Sequence, residues 1–489
     1  MKQSRKLLFW TLIFSLTILI SISSSMSFAQ TAEKIVPDSM ADKIKKPNAA
    51  FDASKMSDMS DFDPATWVSP KGDTIKVAVV AAFSGPGATH GNYYYTCMAW
   101  AAHDINKRGG IWVDGKKKLV EVIKADHMGR NDQAKKICER MALREKVHVF
   151  WGTNGSQWTQ IMNEVATKYK LISMNIISLS DELQDAHNFS RYCFQPSYSA
   201  EQVGLGWGYY YGKIRKKETK FYIMCQDYSY GHDMGKGFKK GLKEYYPEAV
   251  VVGEDYHKLF LTDYAPYIEK IKASGAEVIF TGNWTPDATN LLKQARQMGL
   301  NIPIANNYMD DANMLHEVGM EWTKGLVNIN TYLTSNPQFK TPGHIKIHKA
   351  WHDQWKKWKT PPFNSPSYMY HYAQMGTWVQ NSYWLLSVIE RAKSTNPEKI
   401  IEVWENDTYQ SVNGKIFMMR ACDHKMIQDL TVGEYVPPEK QRESFNIPPY
   451  YWYDKTCGVG PTYLIPAGKI LPWMDQNLDR CKGKNGWGE

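Results

Sequence analysis

At 489 residues the chain can bury large cores and should hold about two or three domains of ordinary size. Its 43% hydrophobic and 22% charged residues are those of a globular protein. The formal charge of +9 falls to +6 once Lys2, Arg5 and Lys6 are removed with a leader, a balance too mild to point to nucleic acid, and none is expected as a partner.

The first element in the chain is that leader. Lys2, Arg5 and Lys6 precede the apolar run 7–22, and Ser27-Phe28-Ala29 offers small residues for cleavage after Ala29, so 1–29 reads as an export signal. Ser15 and Thr17 interrupt the run, which is shorter than the roughly 20 apolar residues a spanning helix needs. Residue 30 is Gln, with no cysteine there to be lipidated, so a soluble periplasmic protein is expected after cleavage. Residues 30–73 are polar and rich in Met, Asp and Ser, with Phe62 and Trp67 as a weak aromatic anchor, and read as an extension.

From 74 onward the pattern alternates. The aliphatic run 75–83 predicts a strand and leads into a glycine-rich turn, Gly85, Gly87 and Gly91. A dinucleotide fingerprint needs G-x-G-x-x-G so that backbone N–H groups close around a pyrophosphate, and Pro86 removes one such donor, so no nucleotide cofactor is expected. A helix over 93–108 ends at Gly109-Gly110; Lys116-Lys117-Lys118 follow Asp114-Gly115, a two-residue turn signal, and read as a solvated hairpin. Strands at 119–125, 147–151 and 171–177 alternate with helices at 132–144 and up to about 169. After Pro196 a second run follows, with strands at 221–225, 249–253, 277–281 and 302–305 and helices near 233–246, 264–273 and 286–298. The chain turns helical from His344, and strand-like segments return near Asn413. Repeated strand and helix implies parallel sheets covered on both faces, hence an α/β chain of two doubly wound lobes.

Seven cysteines in an exported chain leave at least one unpaired. Cys457 and Cys481 lie in a tail of prolines and aromatic rings with no clear amphipathic period, where a disulfide would supply order that packing does not, and they are expected to pair. Cys97, Cys138, Cys193 and Cys225 fall on predicted helices or strands and read as buried thiols. His344, His348 and His352 have i, i+4, i+8 spacing, but Trp351, Trp355 and Trp358 mark the buried stripe beside them, so the histidines are expected at its solvent border and no metal is assigned. The chain has no nucleophile with a neighbouring base, no G-x-S-x-G and no H-E-x-x-H, so it is not read as an enzyme.

In open α/β sheets ligands bind at the carboxyl ends of strands. The loops placed there are 84–91, 153–157, 177–181, 227–231, 283–286 and 306–310. Gly155-Ser156-Gln157 opens a helix, so its N–H groups and the Ser156 hydroxyl could hold an anion such as a carboxylate; the same residues would also serve as a plain N-cap. Tyr228, Tyr230, Trp284, Tyr308 and Trp158 add rings at the same level, and their convergence favours a pocket.

The runs IKVAVVAAFSGP…HG, DINKRGGI, FWGTNGSQ, YGHDMGKGFKKGL, TDYAPYIEKIKASGAEVIFTGNW and TPDATNLLKQARQMGL, in that order, resemble the periplasmic leucine/isoleucine/valine-binding protein family, the solute-binding subunits of ABC importers. The likeness spans 74–436 and implies a type I periplasmic binding fold: two lobes joined by three crossovers, 74–195 with 330–424 and 196–329 with 425–436, leaving 437–489 as a tail. It implies that Ser156, with Gln157 beside it, binds a ligand carboxylate, that His90 lines the pocket from the first loop, and that Tyr230 and Trp284 face it from the second lobe. Ile177 and Ser178 match a backbone-contact segment, but the hydroxyl residue expected next is Leu179. The acidic residue that grips an α-amino group is replaced by Tyr308, with Asp310 two residues on. The resemblance implies capture of a small organic solute, an amino acid or an aromatic or other carboxylate, for ABC permease subunits; the alternative is a sensory module binding a similar amide, urea or quaternary amine.

Overall fold

The computed structural model describes residues 38–85, 87–333, 342–369, 378–437, 440 and 458–489. The export signal, Pro86 and Cys457 lie outside the described residues. The extension brings a short helix, Met40–Lys43 (α1), and the strand Ala49–Ala50 (β1). Its anchor is stronger than composition suggested: Phe62 is 1% exposed, 5.3 Å from the Trp100 ring and 6.1 Å from that of Trp358, and Met56 and Met59 are buried with it.

The aliphatic strand Ile75–Ala81 (β2) is buried on both faces, as the centre of a parallel sheet requires. Helix Ala88–Lys107 (α2) starts earlier than predicted, because Gly87 adopts a left-handed φ of 91° and turns the chain into it. Gly91 is the glycine that packing demands: a Cβ there would stand 2.1 Å from the Ala82 carbonyl oxygen, so its absence lets α2 close onto the end of β2. Ile111–Val113 (β3) and Lys116–Lys118 (β4) form the hairpin over Asp114-Gly115, both at positive φ as its twist requires. Val120–Asp126 (β5), Asn131–Arg140 (α3), Val149–Gly152 (β6), Ser156–Tyr169 (α4), Ile172–Asn175 (β7) and Cys193–Phe194 (β8) complete the first lobe's sheet, ordered β5-β2-β6-β7-β8 and all parallel.

The second lobe follows. It comprises Ala200–Tyr209 (α5), Lys220–Gln226 (β9), Ser229–Tyr245 (α6), Val250–His257 (β10), Ala265–Ser274 (α7), Val278–Phe280 (β11), Asp287–Gln297 (α8), Ile304–Asn306 (β12), Ala312–Thr323 (α9) and Leu326–Asn330 (β13). The chain then returns to the first lobe with Pro342–Trp355 (α10), Trp378–Ala392 (α11) and Pro397–Trp404 (α12), and with Thr408–Gln410 (β14), Ile416–Met419 (β15) and Met426–Ile427 (β16), which form a small sheet with β1. Leu430–Val436 (β17) crosses back, giving the second sheet the order β10-β9-β11-β12-β13-β17-β18, where β18 is Gly458–Ile465. The two doubly wound lobes and their three crossovers are those of a type I periplasmic binding fold.

Three expectations change. The tail packs: β18 pairs antiparallel with β17 from Val436↔Gly458 to Leu430↔Ile465, with both of its ends buried. Cys481 is joined to Cys422, not Cys457, at a Cα–Cα distance of 5.1 Å. The segment after β18 reaches this place because fully buried Arg420, paired with Asp423, donates to the carbonyls of Pro472, Trp473 and Gly486. The third concerns His344, His348 and His352, which are 4%, 1% and 5% exposed instead of facing solvent. The extension widens the buried side of α10: Gly343 packs against Phe51 and Ala53, and Lys346 caps the Ala53 and Met56 carbonyls. Burial holds His348 well below the usual imidazole range and His352 down to about 4. Among the described residues only Cys422, Asp423 and Cys481 bring three possible metal donors within 4.8 Å, and these two sulfurs are already bonded to each other.

Candidate functional site

Each sheet places its second strand outside its first, so strand order reverses between β2 and β6 in one lobe and between β9 and β11 in the other. At such a point neighbouring loops diverge and open a crevice at the strands' carboxyl ends. The two crevices face each other across a cavity lined from both lobes, whose empty space of about 480 Å³ includes open solvent.

One wall comes from the first lobe. His90 and Tyr94 project from the start of α2, and Trp378 from the start of α11 stands 4.6 Å from Tyr94 in an edge-to-face pair. The β6–α4 loop supplies Asn154, Gly155 and Ser156, and the chain after β7 supplies Ile177, Ser178 and Leu179. The opposite wall is Tyr228 and Tyr230 after β9, Trp284 after β11 and Tyr308 after β12. His90 meets Trp284 edge to face at 6.1 Å, so the lobes touch at the rim.

The polar inventory decides what the cavity can hold. Gly155, at φ 114°, is the N-cap of α4 and offers no side chain to close it. Ser156 is therefore the first helical residue, not a plain cap, and its hydroxyl makes no hydrogen bond among the described residues. Helical bonding begins with Thr159 N–H to Gly155 O at 3.0 Å, which leaves the N–H groups of Ser156, Gln157 and Trp158 without intrahelical acceptors. This is an uncapped, positively polarised helix end.

Other hydroxyls are already engaged. Ser178 Oγ bridges Thr159 Oγ1 at 2.6 Å and the Thr153 carbonyl at 2.9 Å. Tyr230 Oη donates to Gly282 O at 2.9 Å and Trp284 Nε1 donates to Tyr228 Oη at 3.0 Å, so these side chains turn their rings, not their polar ends, to the space. Asn175 fixes the Ile177–Ser178 segment by accepting from both N–H groups, at 3.3 and 2.8 Å, and donating to Ser178 O at 2.7 Å. Among the described lining residues none is Asp, Glu, Lys or Arg. Burial lowers the pKa of His90 against an opposing pull from Asp311 and raises those of Tyr94 and Tyr308, so all three are neutral near pH 7.

The structure thus brings together His90, Ser156, Ile177, Ser178, Tyr230, Trp284 and Tyr308 from the sequence reading. Gln157 faces a neighbouring groove with Gln160, Glu182 and Ser229, separated from the cavity by Ser156 and Tyr228, which border both. Asp310 is fully buried, electrostatically coupled to Tyr198, and does not line the cavity. Trp158 lies behind the wall, 4.7 Å from the His127 ring. Sequence reading missed Tyr94, Trp378 and Asn154. Tyr94 and Trp378 sit in apolar helical patterns that read as core, whereas Asn154 stood in plain view in the 153–157 loop without a partner to give it meaning.

A family model described as periplasmic binding protein matches residues 74–441. An amino acid binding protein from Pseudomonas aeruginosa is 25% identical over 375 residues, covering 74% of this chain and 89% of its own length. Among solved structures, a leucine-, isoleucine-, valine-, threonine- and alanine-binding protein from Brucella ovis in a closed conformation aligns with a TM-score of 0.65 at 20% identity, over 82% of this chain and 96% of its own. A solute binding protein of an ABC transporter from Rhodopseudomonas palustris, in complex with p-hydroxybenzoic acid, aligns with a TM-score of 0.65 at 18% identity, over 81% and 98%. These likenesses describe the same fold, and with a family match over most of its length the chain belongs to the periplasmic binding protein family.

Proposed function

We propose that the protein is a periplasmic solute receptor of an ABC importer, closing on a small carboxylate with an apolar, ring-sized body and delivering it to permease subunits. The observation that carries this reading is the uncapped N-terminus of α4, with the Ser156 hydroxyl, opening into a cavity whose described lining is mostly rings and aliphatic groups, with Asn154 and Ser178 as its other polar side chains outside the aromatic ones. Donors at a helix end favour an anion, while no carboxylate among the described lining residues offers an α-ammonium its usual counter-charge. Both an aromatic acid and amino acids are named among the similar proteins, and the uncharged wall favours the acid without an amino group. Closure follows because a ligand touching both walls binds the closed form more tightly than the open one.

The test is titration calorimetry with 4-hydroxybenzoate, phenylacetate and their amides. Ser156→Ala should weaken a carboxylate by about 1.5–3 kcal/mol, one to two decades, and its amide much less. Trp284→Ala should weaken both, since it removes contact area and the rim contact with His90. A second reading rests on the number of rings: a quaternary amine held in an aromatic cage. It prevails if choline binds and Ser156→Ala is without effect.

A further inference from the structure

The segment after β18 is anchored on both lobes. β18 lies at the edge of the second lobe's sheet, and the turn after it stays with that lobe: Tyr245 Oη, at the end of α6, donates to Lys469 O at 2.7 Å. By Pro472 the first lobe holds the chain. Arg420, just past β15, donates to the carbonyls of Pro472, Trp473 and Gly486. Asp475 Oδ2 accepts from the Ala186 N–H at 2.9 Å, and Arg480 pairs with Glu405 while its guanidinium lies 5.3 Å from the centre of the Phe189 ring. Buried Lys425, before the last crossover, donates to Asp181 O and Trp473 O, both at 3.1 Å. Cys481 is bonded to Cys422 of the first lobe. No more than roughly 10 Å of chain joins Lys469 to Pro472, so the anchors on the two lobes have little slack between them.

We propose that residues 466–489 form a fourth crossover, a strap drawn across the hinge and locked by Cys422–Cys481, which restrains the lobes near the arrangement in which they meet. A rotation that parts the lobes moves Tyr245 relative to Arg420 and Ala186, and so loads a segment that has no loop to absorb the change. Both cysteines are buried, Cys481 at 0% and Cys422 at 3% exposure, which keeps dissolved thiols away and makes the disulfide a lock and not a redox switch. The consequence for binding is independent of the ligand's charge. Apparent affinity scales with the fraction of molecules in the binding-competent arrangement, so a strap that narrows the range of lobe angles strengthens the capture of whatever solute the cavity takes.

The experiment gives the strap slack without removing its anchors: a short Gly/Ser insertion between Ile470 and Leu471, a flexible link that leaves every bond on either side in place. The readout is amide hydrogen exchange on the full chain without ligand. Three amides bond across the lobes and are released when the lobes part: Ala200 N–H to Leu179 O at 2.9 Å, Glu201 N–H to Asp181 Oδ2 at 3.0 Å and Asp181 N–H to Asp233 Oδ2 at 3.0 Å. The insertion should speed exchange at these amides about tenfold or more while β2 and β9, in the two lobe cores, keep their protection. Cys481→Ser should act in the same direction to a smaller extent. Unchanged exchange at the three amides in the insertion variant, with β2 and β9 still protected, overturns the strap, as does an unaltered protein in which these amides are already unprotected. If the insertion loosens β2 or β9 as well, Cys481→Ser decides on the same terms: faster interlobe exchange over protected cores supports the strap, and unchanged exchange overturns it.

Discussion

A single asparagine shows how the contact segment is made. Asn175 ends β7, and its side chain closes a loop around Ile177 and Ser178 with three hydrogen bonds while 2% exposed. Removing the amide leaves two N–H groups buried without partners, each costing about 1–3 kcal/mol if no water replaces it, while the Ser178 carbonyl keeps only the donation from Gln195 Nε2 at 3.4 Å. Asn175→Ala is therefore expected to lower unfolding free energy by several kcal/mol in urea titrations and to weaken ligand binding, because Ile177 and Ser178 would no longer be held at the wall. A destabilised protein with unchanged affinity would show that the segment does not touch the ligand. The four buried thiols illustrate the converse: Cys97, Cys138, Cys193 and Cys225 are all buried, as their place in predicted elements implied, and burial pushes the last three up to about 12.

At the scale of elements, α5 and α6 pack backbone to backbone. A Cβ on Gly204 would stand 2.1 Å from the Gly237 carbonyl carbon, and one on Gly208 would stand 2.1 Å from that of Gly241. Alanine is ordinarily favoured over glycine inside a helix by about 1 kcal/mol. Here the sign should invert: Gly208→Ala is expected to cost about 1–3 kcal/mol or more through overpacking, read as a lowered urea midpoint at unchanged slope. A stabilised variant would mean that the helices separate freely. The same glycines explain why α5 escaped sequence reading, since its propensity is poor and its order comes from a partner about 30 residues away. Its one local signal was the capping box of Ser199 and Gln202. The disulfide belongs to this scale too. Peptide mapping should recover Cys422 linked to Cys481, and Cys481→Ser should cost about 2–4 kcal/mol, as expected for a cross-link spanning 59 residues. Recovery of a Cys457–Cys481 peptide instead would contradict it.

For the molecule as a whole, the lobes meet behind the cavity as well as at its rim. Ser180 Oγ and the Asp181 N–H, following β7 in the first lobe, both bind Asp233 Oδ2 on α6, at 2.7 and 3.0 Å, and Asp181 Oδ2 accepts from the Glu201 N–H of α5 at 3.0 Å. Burial raises Asp181 to about 7, against the pull of Lys425 and helped by the carboxylates of Asp233 and Glu201. A folded-state pKa above the ordinary 3.8 means the folded form holds the proton more tightly, so this group's contribution is complete below about pH 4 and is lost as pH rises to 7. Asp181→Asn, which keeps an oxygen for Glu201, should therefore gain over the unaltered protein across that window, by at most about 4 kcal/mol, and hold the gain above it. Thermal melts at pH 4.5 and 8 check this; an equal difference at both would mean that Asp181 titrates normally.

The alternation of aliphatic runs with helical stretches determined the two lobes, because a β-strand buried on both faces and a helix crossing over it leave periodicities that any window of the chain displays. The same reading located the strand-end loops and the Ser156 helix start, for loop position follows from strand position in a parallel sheet. Tertiary structure alone decided the rest. Trp378 joins His90 at one wall, Cys422 meets Cys481, β18 extends the second sheet and α10 buries its histidines, all through contacts between segments far apart in sequence. Whether a ring lines a cavity or fills a core depends on which surface it meets, and no local pattern records that. The uncharged lining has the same origin: Asp310 and Glu182 are close in sequence to lining residues, yet one is turned into the core and the other faces the outer groove.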